Sequence, residues 1–149
     1  MKLTALLKIS LTICAVFLTG CITKIDGQPL VRDAYQGMFY VERQPNDGRN
    51  LAQNIATQLR ARKLSATNGE PGAAPESADY IVSYIDRWQW DMRMYLISLR
   101  IETRDKNTSR VVGYGDSYQT SLAAMGMSFD DVINRALDQM LLEAPLPNR

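Results

Sequence analysis

The chain has 149 residues, with 17 basic and 16 acidic side chains, no histidine and 2 cysteines. That length holds one ordinary domain, and the near-balance of charge excludes both the basic footprint of a nucleic-acid binder and a polybasic membrane patch. Without histidine the commonest general base and metal ligand are gone, which excludes Ser-His-Asp and Cys-His catalysis and zinc sites of the usual kind.

Lys2 and Lys8 give a positive start, and Ile9 to Leu18 then run without a charge. This apolar run of about ten residues is too short for a hydrocarbon core, which takes roughly twenty. A positive start, a short apolar run and small residues before a cut are the parts of a secretory signal. Residues 1–20 are therefore read as a leader, removed between Gly20 and Cys21. Cys14 leaves with it, and Cys21 is the cysteine retained. A lone cysteine closes no internal disulfide, and a bare thiol is a liability in an oxidising compartment.

Leu18-Thr19-Gly20-Cys21 resembles the lipobox of bacterial lipoproteins, Leu-x-Gly/Ala-Cys. The resemblance implies that the Cys21 thiol receives a diacylglycerol, that Cys21 becomes the mature N-terminus, and that its acyl chains hold the protein on a membrane. Position 22 is Ile, not the Asp that tends to retain such lipoproteins at the inner membrane. The implied location is the outer membrane, facing the periplasm.

Residues 21–36 read as a lipidated N-terminus and tether, Gly27 and Pro29 arguing against regular structure. Residues 37–149 read as a single domain. Met38 to Glu42 predicts a strand rich in aromatic and branched side chains, broken by Gln44-Pro-Asn-Asp-Gly48. A helix starts near Asp47 or Asn50, either of which can cap it. Leu51, Ile55 and Leu59 recur at intervals of four beside Ala52 and Ala56. Arg60, Arg62 and Lys63 in its last turns complement the dipole. Asn68 to Pro75 is a loop by composition.

The strongest strand signal covers residues 79–104. Tyr80 to Ile85 is rich in strand formers, and Trp88 and Trp90, two apart, face the same side. Tyr95, Ile97, Leu99, Ile101 and Thr103 are expected on one face, and Ser98, Arg100, Glu102 and Arg104 on the other. Asp105 to Ser109 turns the chain into a returning strand, Arg110 to Tyr118, whose Gly113 and Gly115 share a face and leave room for a bulky neighbour or a bulge. Ser128 opens a second helix with acids in its first turn. Its apolar stripe is Phe129, Val132, Ile133, Ala136, Leu137, Met140 and Leu141, and Pro145 and Pro147 end it. The expectation is an α+β two-layer sandwich: an antiparallel sheet of about four strands with two helices on one face.

Without a histidine or a free thiol, carboxylates are what remains for chemistry. Asp130 and Asp131 complement a helix N-terminus. Asp91 is expected to close a turn. Asp86 interrupts the aromatic face of Tyr80, Tyr84, Trp88 and Trp90; it pairs with an arginine such as Arg87, Arg93 or Arg100, or the strand bulges there. Two acids can serve a carboxylate hydrolase; Asp130 and Asp131 are adjacent but fit the helix N-terminus better, and Asp86 with Asp91 is the remaining pair. No Walker-type phosphate loop occurs, and Gly113-Tyr-Gly115 sits in a strand rather than at a strand-to-helix turn. The size of tryptophan favours a core position for Trp88 and Trp90; the alternative is an exposed stripe for sugar, lipid or partner contact.

The segment Ala78 to Tyr84, then Trp88-x-Trp90-Asp91-Met92-x-Met94-Tyr95-Leu96, then Gly113-Tyr-Gly-Asp116, resembles a group of uncharacterised proteobacterial outer-membrane lipoproteins. In layout alone the chain is similar to small periplasmic lipoproteins that assist larger envelope machines, such as peptidoglycan-synthase activators and exopolysaccharide-export lipoproteins. The resemblance implies a non-catalytic, lipid-anchored envelope protein that binds another envelope protein or glycan, with no cofactor, metal or nucleic acid. Trp88, Trp90, Asp86, Asp91 and the loop at 69–75 are the expected contact residues. The alternative is a periplasmic ligand-binding lipoprotein whose aromatic pocket holds a glycan or lipid fragment.

Overall fold

The structure, a computed structural model, describes residues 24–141. The leader, the cleavage point at Gly20 and Cys21, and the two C-terminal prolines lie outside the described residues. Six strands run β1 (Lys24–Gln28), β2 (Met38–Glu42), β3 (Ser65–Gly69), β4 (Tyr80–Asp91), β5 (Arg93–Asp105) and β6 (Val111–Tyr118). Among the described residues a 3-10 turn (Arg32–Gln36) and α1 (Leu51–Ala61) lie between strands, and the single turn α2 (Ser121–Ala124) and α3 (Phe129–Met140) follow β6. The strands form one sheet in the order β1-β6-β5-β4-β2-β3.

The α+β class stands, but the sheet is larger than expected and mixed. β2 pairs in parallel with both β3 and β4, whereas the pairs β1–β6, β6–β5 and β5–β4 are antiparallel. The two unexpected strands are the two edges. β3 is short and polar, Ser-Ala-Thr-Asn-Gly, and it forms because α1 returns the chain alongside β2 through the crossover that parallel strands need. β1 falls in the stretch read as a tether. A strand forms there because Gly27 pairs with Gly115 and because Leu30 is buried, its N–H donating to the Met140 carbonyl at 2.7 Å.

α3 rests on β6. An added Cβ on Gly115 would lie 1.8 Å from the Ala136 carbonyl oxygen, and one on Gly27 would lie 2.8 Å from Gln139 Cβ. The glycines thus form the seat on which the helix lies, and Gly113 makes room for Leu30 in the same way. Thr103 of β5 reaches Met140 of α3 at 3.3 Å. α3 begins with a capping box: Ser128 Oγ accepts from the Asp131 amide at 3.2 Å, and the Asp131 carboxylate accepts from the Ser128 amide at 2.8 Å. Its stripe of Val132, Ile133, Ala136, Leu137 and Met140 is buried with Leu51, Ile55 and Leu59 of α1 in one core. Arg62 ties the helices together through Asn134 at 3.0 Å and Asp138 at 2.6 Å. The basic cluster at the end of α1 is therefore structural. Among the described residues no helix is long and apolar enough to cross a membrane.

β4 and β5 make one long hairpin. Arg87 pairs with Ser98 but Trp88 pairs with Leu96, so Ile97 is an extra residue in β5. This bulge corrects the expected alternation. Leu99, Ile101 and Thr103 face the core as predicted, but the inserted residue puts Leu96 on that side and turns Tyr95 to the other. On the sheet face away from the core, Arg100 lies 4.1 Å over the Tyr114 ring and 3.5 Å from Asp116. Glu102 accepts from Arg104 on the same face.

Candidate functional site

The bulge decides what the aromatic segment does. Asp86 and Trp88 both point to the core side of β4, and the Trp88 indole N–H donates to the Asp86 carboxylate. That bond is the partner of Asp86, in place of the arginines considered from sequence; Arg100 is engaged by Asp116 and Glu102 instead. Trp88 meets Phe129 at the start of α3 edge-on, with ring centroids 5.0 Å apart. The Arg49 guanidinium covers the other side, 4.4 Å from the Trp88 ring centroid and 5.7 Å from that of Phe129. Trp88 is thus half-buried at the margin of the core. Trp90, two residues on, is 69% exposed. The pair expected to share one fate is split, because the hairpin runs past the end of the helical layer.

Above Trp88 opens a cleft of about 580 Å³. Its walls come from the β2–α1 loop, with Gln44, Asp47 and Arg49, and from β4 and β5, with Tyr84, Asp86 and Met94. The loop is held by Asp47. Its carboxylate accepts from the Leu51 amide at 2.8 Å and the Ala52 amide at 3.0 Å, capping α1 from a position before Asn50. Of the two cap candidates Asp47 makes the bonds; Asn50 adopts a left-handed backbone, φ 57°, and makes no side-chain cap. The Tyr84 hydroxyl donates to Asp47 at 2.9 Å and accepts from the Gln44 amide at 3.2 Å. Gln44 also donates to the Tyr84 carbonyl.

Burial alone would raise the Asp47 carboxyl, but the amides of Ala52 and Leu51, the Tyr84 hydroxyl and the Arg49 amide outweigh it and hold it below the usual range. Burial pushes the Tyr84 hydroxyl up, so it remains a donor. Asp47→Ala removes the cap and the tyrosine's acceptor together. The expected cost is about 1–2 kcal/mol at neutral pH, the usual worth of a cap. The sign with pH follows from the lowered carboxyl. Its contribution is complete above the ordinary carboxylate range and is lost as pH falls through the depressed value. Urea midpoints of wild type and Asp47→Ala should therefore differ at pH 7 and converge in strong acid.

Asp91 lies at the exposed hairpin tip, opposite Arg93, with Met92 between them at φ 60°. Five residues separate it from Asp86, roughly 16 Å along a strand, and an odd spacing puts the two on opposite faces. A glycosidase pair needs about 5–9.5 Å. The structure does not bring these carboxylates together. Among the described residues no group of three or more acidic, histidine or cysteine side chains could hold a metal. In the loop at 69–75, Gly72 N–H donates to Glu42 and Glu70 pairs with Arg43 at the β2–β3 edge, away from Trp88. Arg49, Gln44 and Met94 were not foreseen as site residues, since nothing in their local pattern points to an aromatic ring distant in the chain.

The fold is similar to that of PelC from Paraburkholderia phytofirmans, a dodecamer. The TM-score is 0.56 and the identity 14%, covering 78% of this chain and 92% of PelC. A leucine-to-methionine variant of that dodecamer matches with a TM-score of 0.54 and 15% identity over the same shares. No family model and no curated protein sequence matches the chain.

Proposed function

We propose that the chain is a non-catalytic cell-envelope protein, held by acyl chains on Cys21 at the periplasmic face of the outer membrane, that binds another envelope component through the cleft beside Trp88. The observation that carries this reading is how the cleft's acids are committed. Asp47 is spent on the α1 cap and Asp86 on the Trp88 indole, which leaves Arg49, lying on the Trp88 ring, as the open recognition group. Such a surface suits recognition more than bond breaking. The likeness of fold to a dodecamer supports further copies of the chain among the partners.

A photoreactive residue in place of Arg49, in intact cells, should give a discrete crosslinked product. The same group in place of Asn107, at the opposite end of the β5–β6 hairpin, should not. Absence of a product specific to position 49 counts against the reading. The size of the cleft and its tryptophan wall favour a second reading, a glycan or lipid fragment as occupant. In that case envelope glycans or lipids change the Trp88 emission of a Trp90→Phe variant; no change across both classes removes it.

A further inference from the structure

Strand register brings the N-terminus to one particular end of the sheet. Lys24 pairs with Tyr118, Tyr118 with Ser98, and Ser98 with Arg87. From that row the β4–β5 hairpin continues alone, Trp88 opposite Leu96 and Trp90 opposite Met94, to its tip at Met92. At about 3.3 Å per residue it projects roughly 15 Å past the row. The turn of α2 lies beside it: Ser121 Oγ donates to Gln89 at 2.8 Å, and Arg93 donates to the Met125 carbonyl.

This end of the molecule collects exposed apolar side chains. Met92 is 87% exposed, Leu122 73% and Trp90 69%, with Tyr118 and Met125 beside them. Among the described residues only Val31 and Ile85 are large, apolar and comparably exposed elsewhere, so the clustering is not a general property of the surface. Asp91 and Arg93 offset one another at the tip, which leaves burial of apolar area, not charge, as what the patch offers a partner. A cluster of exposed apolar side chains at one end of a molecule marks an interaction site.

What it meets follows from the length of chain before β1. Cys21 precedes Lys24 by three residues, at most about 11 Å of extended chain. A bilayer holding an acylated Cys21 therefore lies at the same end of the sheet from which the hairpin projects. We propose that Trp90, Met92, Leu122 and Met125 form a membrane-docking tip that enters the boundary between headgroups and acyl chains, and so orients the domain on the bilayer to which Cys21 is attached. The proposal rests on the lipid-anchor reading. Tryptophan is favoured at that boundary because its ring is apolar and its N–H polar. With the tip inserted, the cleft beside Trp88 is held close to the surface.

The test uses the acylated protein in vesicles of phosphatidylethanolamine and phosphatidylglycerol with brominated acyl chains. In Trp88→Phe the remaining indole is Trp90. Its emission should shift to the blue, lose most of its intensity to bromine and resist acrylamide. In Trp90→Phe the remaining Trp88, against Phe129 and Arg49, should keep its emission. A Met92→Cys variant carrying an environment-sensitive dye asks the same question with both tryptophans in place. A Trp90 or residue-92 probe untouched by bromine overturns the proposal, whether it is open to acrylamide or shielded from it by another protein copy. Mass spectrometry of the same sample separates the two readings. An acylated chain with an unquenched tip sinks the docking alone, and an unacylated chain sinks both.

Discussion

Gly115→Ala is expected to destabilise the domain by about 3 kcal/mol or more, the upper part of the range for overpacking. The new Cβ would sit 1.8 Å from the Ala136 carbonyl oxygen and 2.8 Å from the carbon that bears it. Both belong to the backbone of a helix, so no side chain can rotate away. α3 has to lift from β6, and it carries Ile133, Ala136, Leu137 and Met140 with it, all fully buried. Because small domains have only about 5–15 kcal/mol in total, this one methyl group consumes a large share. A thermal midpoint roughly 10 °C lower is the corresponding shift for a domain of this size. Gly48→Ala is the control, since nothing lies within 4 Å of an added Cβ there, and it should change stability by less than about 0.5 kcal/mol. Equal midpoints for Gly115→Ala and wild type would mean that α3 does not lie against β6 as described.

The seating of α3 is a case where the amino-acid pattern was informative. Gly113 and Gly115 alternate in a strand, so a shared face followed from period two; whether it met a close neighbour or a bulge did not, and the structure has α3 against Gly115 and a register shift beside Gly113. The stripe of α3 and its Ser128 cap were equally readable, because a helix buries one face at a fixed spacing and its first turn has local needs. The edge strands were not. Lys-Ile-Asp-Gly-Gln and Ser-Ala-Thr-Asn-Gly carry no alternation, and each becomes a strand only through hydrogen bonds to a partner remote in sequence. Parallel pairing of β2 was hidden for the same reason: direction is set by where α1 returns the chain, which no local pattern records. The bulge at Ile97 is subtler still. Tyr95-Leu-Ile-Ser-Leu99 permits either register, and the choice moves Tyr95 across the sheet while leaving Trp88 beside Asp86. The site inherits that uncertainty. Trp88, Trp90, Asp86 and Asp91 were visible as a motif, but their division into a cleft wall and an exposed tip depends on the register and on where the helical layer ends. Arg49 enters only when α1 places it over the Trp88 ring.

Cys21→Ser is expected to move the protein from the membrane to the soluble fraction. Serine offers a hydroxyl where lipid transfer needs a thiolate-forming sulfur, so no thioether forms. Each methylene buried in a bilayer is worth about 0.8 kcal/mol; one chain anchors only marginally, and two or more hold effectively for good. The proposed docking tip would contribute a handful of side chains against the many methylenes of the proposed acyl chains, so it would orient the domain but not retain it. Salt discriminates further. On the proposed lipid-anchor reading, Lys2 and Lys8 would leave with the leader and the remaining charges would nearly balance; attachment would then be apolar, and wild type should stay with membranes through a high-salt wash. A Cys21→Ser protein that still sediments with membranes after that wash would show that something other than the lipid holds it. Because β1 begins at Lys24, only three residues from Cys21, the proposed anchor would have almost no slack. Inserting a flexible Gly-Ser segment between Cys21 and Lys24 should leave fractionation unchanged while freeing the domain from the surface, which separates retention, a property of the acyl chains, from orientation, a property of the short connection and the tip.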